Sequence, residues 1–399
     1  MKFNKKILPN GLVVLHEQRD VPVTTVMLGT RFGAINEQEK EKGIAHFIEH
    51  LCFKGTAKRT ALQIASELEK VGGTLNAFTS EEETAYHVKL PSEHLELAMD
   101  VIFDIFFNPK FPEEEIKKEA GVICEEIKMY YDNPRARAMD KVKECLYEKP
   151  FGMSIAGKEE IIRGMRREQL LKKHEEYYHP KNAILAVVGN NSFDEVVRLA
   201  EKFCVDKKAG NMPVKPRIEI RNKKESEERV DIQQANLVIG LHFPTMKEKE
   251  RYAGEITSAI LGEGMSSKLF TEVREKRGLA YAVKTDIDAG KEYSYLMIYV
   301  GTEKEKVQEV INICIEEFRK LENLTEKDLE DAKKQVIGNY HVDSEDCAKT
   351  AVSLILEEIS GNAEEYYKFA EKIKEVKLED VKKLTKFEDF SYYAVVPSD

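Results

Sequence analysis

Within GIAHFIEHLCFKGT stand two histidines and a glutamate, His46, Glu49 and His50. Residues three and four apart are neighbours on a helix, so this spacing puts both imidazoles and the carboxylate on one face. Ile44, Phe47, Ile48 and Leu51 fall on the opposite arc, which gives the helix an inner side that can pack on a core. Two histidines one turn apart can hold zinc through their ring nitrogens, and a glutamate between them can reach the zinc-held water as general base. A solvated helix with two surface histidines is the competing reading of the same residues.

Catalytic zinc takes three protein ligands and keeps one position open, so a third ligand must come from elsewhere. The stretch PEEEIKKEAGVICEEIKMYYD offers candidates. Ile116, Glu119, Ile123, Glu126 and Tyr130 share one helical stripe, whereas Glu125 shares its arc with Glu114, Lys118 and Lys128. Carboxylates on an apolar stripe need a metal, a hydrogen bond or an opposite charge. Glu126 as ligand and Glu119 as its supporting or proton-handling neighbour is the economical assignment. Two core-facing glutamates paired with Lys or Arg is the alternative.

The elements that would position these groups follow from the hydrophobic pattern. GLVVLHE and TTVMLGTRFG read as strands, and Pro9-Asn10-Gly11 reads as a turn between two short strands rather than as part of a secretory signal. A helix follows from about Gly43, a second begins near Thr60, GGTLNAFTSEEETAYHVKL alternates as strands, and helices fill 92–107 and 112–131. NAILAVVGN is a short apolar strand. The polar, proline-containing segment between about 205 and 229 reads as a surface linker. The same order of elements then returns, and LPSEHLELAMDVIFDIFF matches GTEKEKVQEVINICIEEF in position and apolar spacing. The expected fold is α+β: two homologous halves, each an antiparallel sheet with helices packed on it. The expected division is an N-terminal half at 1–210 carrying the metal, a linker at 211–228 and a C-terminal half at 229–399.

His46, Glu49 and His50, followed by Glu119 and Glu126, resemble the inverted zinc motif of the pitrilysin and insulin-degrading-enzyme family, which includes mitochondrial processing peptidase. HFIEHLCFKGT, GGTLNAFTSEEETAYHV, EEIKMYYDNP, YYHPKNAILAVVGN and GMSSKLFTEVREKRGLAYAV all resemble segments of its short bacterial members, so the likeness covers essentially the whole chain. The resemblance implies one Zn2+ per chain held by His46, His50 and Glu126, with Glu49 as general base and Glu119 supporting the site. Read from the residues alone, Arg274 is a surface arginine and Tyr281 a core tyrosine at the start of a strand after Gly278 ends a helix. The resemblance instead implies that this pair holds the substrate carbonyl and developing oxyanion. It also implies that Asn76, Ala77 and Phe78 lie on an edge strand to which an extended peptide adds, against the plainer reading of ordinary sheet.

The implied protein is a zinc-dependent endopeptidase whose halves close as a clamshell, cleaving unfolded peptides or presequence-like segments inside a closed chamber. A peptide-binding subunit without catalysis is the rival, weakened because each ligand and the base are present. Longer relatives fuse four such halves, so a chain of two is expected to form a homodimer, with a heterodimer as alternative. A net charge of -10 with no basic run argues against nucleic acid, and no apolar segment approaches a membrane span of ~20 residues. Six dispersed cysteines without a CxxC pair read as reduced, buried thiols, and the expected location is cytoplasmic.

Overall fold

A computed structural model describes residues 2–204 and 210–398. The chain divides into two compact units. The first comprises Met1–Ile127, Ser154–Pro216 and Asp343–Tyr366, and the second Lys128–Met153, Arg217–Val342 and Tyr367–Asp399.

In the first unit, β1 (Lys2–Ile7), β2 (Val13–Gln18), β3 (Val23–Thr30), β4 (Thr74–Thr79), β5 (Thr84–Pro91) and β6 (Ala183–Gly189) form a sheet in the order β1-β2-β6-β3-β5-β4. The turn at Leu8–Leu12 closes through Leu8 N–H to Leu12 O at 2.9 Å, as Pro9-Asn10-Gly11 led one to expect. The central strands are rich in Val, Ile, Leu and Ala, and β6 is buried along its whole length because helices cover both faces. One face carries the helices Leu95–Phe107 and Phe193–Phe203, whose apolar sides join Ile44, Phe47, Ile48 and Leu51 in a single core. The helix Cys347–Ser360 packs on β3 and β6.

In the second unit, β7 (Lys224–Arg229), β8 (Ala235–His242), β9 (Ala280–Ala289), β10 (Ser294–Thr302) and β11 (Ser391–Pro397) are ordered β7-β11-β8-β10-β9. Strand for strand this repeats β2-β6-β3-β5-β4, including the parallel pairing of β7 with β11 and of β2 with β6. The helices Leu95–Phe107 and Val307–Arg319 occupy equivalent places after β5 and β10 and are both 13 residues long. The duplication expected from the pattern is therefore present in the topology. The helix Pro134–Leu146 packs on β8 and β11.

Two boundaries differ from the linear division at 1–210, 211–228 and 229–399. Segment Lys128–Met153, from the N-terminal part of the chain, completes the second unit, and Asp343–Tyr366, from the C-terminal part, completes the first. An amphipathic pattern says that a helical face is buried, not on which sheet. Residues 224–228, expected as linker, belong to β7, where Tyr392 to Val396 of β11 supply their partners. Residues 205–209, at the start of the polar segment read as a linker between about 205 and 229, lie outside the described residues.

Candidate metal centre

The helix Ile44–Cys52 carries the HxxEH residues. Its start is held by a buried carboxylate: Glu37 Oε1 accepts from Ala45 N–H at 2.7 Å and Oε2 from Gly43 N–H at 3.0 Å. These would otherwise be orphan donors of the first turn. Lys42, fully buried, lies 3.5 Å from Glu37 Oε2 and donates to Ala34 O at 2.7 Å. Ala45 immediately precedes His46, so this cap fixes the register in which the motif faces outward from the core.

The helix Glu113–Asp132 supplies the third group. Its stripe follows the spacing as far as Glu126, with Ile116, Glu119 and Ile123 buried and Glu126 half-buried, but Tyr130, one turn further on the same stripe, is exposed. His46 Nε2 and His50 Nε2 lie 3.3 Å apart, and Glu126 Oε2 is 3.7 Å from the first and 3.5 Å from the second. Zinc ligands at about 2.0–2.1 Å define a tetrahedral face with edges of about 3.4 Å. The triangle of two imidazole nitrogens and one carboxylate oxygen has that size, and N/O donors are the chemistry zinc prefers, so the residues fit the ion.

Behind the triangle, His50 Nδ1 stands 3.1 Å from Glu119 Oε2, and Lys54 Nζ holds Glu119 Oε1 at 2.7 Å. Burial alone would raise the Glu119 carboxyl, but the hydrogen bonds from His50 and Lys54 outweigh it and hold the group below its ordinary range. Glu119 thus has the kind of contact that each sequence reading invoked, one to a histidine of the HxxEH motif and one to a lysine. Burial, then the charge of His50, lowers His46 to about 4, which leaves its imidazole neutral with a lone pair for a metal.

Glu49 is 9% exposed. Burial raises its carboxyl above the ordinary range despite the opposing hydrogen bond from Thr79 Oγ1, which reaches Glu49 Oε2 at 2.6 Å. Thr79 is the last residue of β4, so Glu49 is tied to the strand expected to receive peptide. β4 is the edge of its sheet, paired on one side only with β5 through Asn76↔His87, Ala77↔Tyr86 and Phe78↔Ala85. Asn76 is exposed, and its own Oδ1 accepts the Ala77 N–H at 2.8 Å.

Arg274 and Tyr281 belong to the second unit. The helix expected there is a π-helical turn, Phe270–Glu275, with the exposed Arg274 guanidinium 4.8 Å from the Phe270 ring centroid. Gly278, at φ +60°, ends it by donating to Arg274 O at 3.0 Å, as expected of a glycine at that place. Tyr281 does open a strand, β9, but it is 48% exposed and not the core tyrosine that its residue type alone suggested.

Sequence reasoning missed Glu37, Lys54 and Thr79. Lys54 follows His50 by four residues, a spacing that could have nominated it for Glu119. Thr79 is two residues beyond Ala77 and so on the same strand face. Nothing local in the sequence signals the Glu37 cap, which spans a turn of irregular backbone.

Residues 12–159 match the family described as Insulinase (Peptidase family M16), and residues 164–336 match the Peptidase M16 inactive domain. The chain is 33% identical over 377 residues to an uncharacterized zinc protease of Rickettsia felis, covering 92% of this chain and 89% of that one. It is 34% identical over 341 residues to the uncharacterized zinc protease YmxG of Bacillus subtilis, covering 83% and 81%. In fold it is similar to the crystal structure of a protease from Helicobacter pylori, with a TM-score of 0.91, 23% identity and 99% of both chains covered. With nearly its whole length matched to such relatives, and with the HxxEH face and Glu126 brought together, the chain belongs to peptidase family M16, the insulinase family.

Proposed function

We propose that this protein is a zinc-dependent endopeptidase acting on unfolded or presequence-like peptide segments. The observation that carries the reading is the triangle of His46, His50 and Glu126, with the buried carboxylate of Glu49 on the same helical face. One zinc per chain, held by those three residues, would supply Lewis acidity toward water and toward the scissile carbonyl. Glu49 takes the proton of the attacking water and passes it to the departing amine. Its raised proton affinity suits a group that must both accept and return a proton. Thr79 holds one oxygen of that carboxylate and leaves the other for the water.

Peptide in extended form would pair with the free edge of β4 at Asn76, Ala77 and Phe78, displacing the Asn76 side chain from the Ala77 N–H. Arg274 and Tyr281 would donate to the oxyanion, a role taken from family resemblance. We further propose a homodimer located in the cytoplasm, with peptide enclosed in a chamber closed by the two halves.

The test is cleavage of a panel of unfolded peptides by the purified chain, after chelation and after zinc add-back. Loss on chelation and recovery with zinc supports the reading. Binding of the same peptides by zinc-loaded protein with no cleavage of any would leave a peptide-binding subunit instead.

A further inference from the structure

Tyr281 owes its half-exposed position to a defect in strand pairing. Ala282 pairs with Gly301 and Ala280 with Thr302, so Tyr281 is the extra residue of a β-bulge between β9 and β10. Bulges re-aim side chains and concentrate beside active sites. The ring lies against Gly301, where a Cβ would come within 2.2 Å of Tyr281 Cζ, so only glycine leaves room for it. Its hydroxyl stands 3.3 Å from that of Tyr299, a residue only 4% exposed. Tyr299 in turn donates to Asn236 Oδ1 at 2.9 Å, and the Asn236 amide is oriented by Nδ2 donating to Gln234 O at 3.3 Å. The Arg135 guanidinium lies 4.4 Å from the centroid of the Tyr299 ring. An exposed tyrosine on a strand would ordinarily sample several rotamers. This one has a floor, a hydroxyl partner, and an anchor for that partner.

We infer that Tyr299, Asn236 and Gly301 are positioning residues for Tyr281, fixing the ring and oxygen of the group that serves the oxyanion. The inference rests on the proposed role of Tyr281. Because Tyr299 spends its single proton on Asn236, the Tyr281 hydroxyl is the donor in the resting contact. A substrate oxyanion competes for that proton by rotation of one O–H bond, without movement of the ring. Tyr299 touches no substrate in this account and acts only through Tyr281.

The experiment measures kcat and KM for one cleaved peptide in Tyr281→Phe, Tyr299→Phe, Gly301→Ala and the double variant Tyr281→Phe/Tyr299→Phe, with thermal unfolding of each. The expected result is a fall in kcat for Tyr299→Phe of about 3- to 10-fold at unchanged KM, the scale of one hydrogen bond. The double variant should be no slower than Tyr281→Phe alone. Gly301→Ala keeps the Tyr299–Asn236 pair and should lower kcat by displacing the ring, a check that survives if Tyr299→Phe folds poorly. If Tyr281→Phe is impaired while Tyr299→Phe and Gly301→Ala match the unaltered protein, the positioning inference is wrong and the role of Tyr281 stands. Losses that multiply in the double variant overturn it too, since they would mark a separate structural effect. If Tyr281→Phe itself retains full kcat, the underlying role fails, and the inference with it.

Discussion

Glu119 Oε2 faces His50 Nδ1 at 3.1 Å while its other oxygen takes the Lys54 ammonium at 2.7 Å, so one carboxylate both holds the imidazole of an HxxEH histidine and is itself anchored. Among the described residues, His46 Nδ1 has no corresponding hydrogen-bond partner. The outer support of the histidine pair therefore rests on His50. Replacing Glu119 by Gln weakens that support while keeping the shape. Zinc affinity, measured by competition with a chromophoric chelator, should fall by about 10- to 100-fold. An unchanged affinity would mean that the contact does not orient His50.

The Glu37 cap is a separate device, because it holds the start of the motif helix and touches no ligand. Glu37→Ala would leave the first-turn N–H groups of Gly43 and Ala45 without their acceptor and leave Lys42 buried without its carboxylate. Breaking one side of a buried ion pair costs about 3–5 kcal/mol. Urea unfolding should show a loss of that order, and Glu37→Gln combined with Lys42→Met should recover much of it. A single variant as stable as the parent would show that the pair contributes nothing net.

On β4 the Ala77 N–H donates to a side chain of its own strand, Asn76 Oδ1, at 2.8 Å. Proline is tolerated on sheet edges where the N–H faces outward. Ala77→Pro should consequently fold and retain zinc, yet raise KM for extended peptides by at least about tenfold through loss of a backbone donor. Equal KM in the two proteins would rule out peptide addition at this position.

Glu255, in the helix Arg251–Gly262, is pushed up to about 7 by burial and then by the nearby Glu263 and Asp286 charges, with Arg251 opposing. A carboxyl whose folded pKa lies above its unfolded value binds more protons when folded, so stability falls as pH rises between the two. Glu255→Gln should thus raise the thermal midpoint at pH 8, and the gain should shrink through pH 7 and vanish below about pH 4. A gain independent of pH would assign the effect to packing.

Much of the metal centre was legible in the sequence because it depends on helical spacing. His46, Glu49 and His50 share a face by arithmetic, and Glu126 was separable from Glu125 because only one lies on the apolar stripe. Glu119 was ambiguous, and the structure resolves the ambiguity by giving it both a histidine and a lysine. Thr79 escaped notice because its contact with Glu49 joins a strand end to a helix thirty residues earlier, a tertiary event. Tyr281 was misread as core because a β-bulge is invisible to an alternating pattern, and a shift of one residue turns a side chain to the other face. The repeat of strands was legible, since apolar runs recur in order. The crossing of Lys128–Met153 and Asp343–Tyr366 into opposite units was not, since either sheet offers an apolar face to an amphipathic helix.

In the proposed chemistry Glu49 moves the proton while His46, His50 and Glu126 hold the zinc. Its most direct test is Glu49→Gln, with zinc content and peptide cleavage measured on the same preparation. One zinc per chain is expected, as in the unaltered protein, with peptide binding retained and cleavage reduced by at least about a hundredfold, the scale of a lost general base. Cleavage at the original rate by the zinc-loaded variant would contradict it and remove Glu49 from the chemistry.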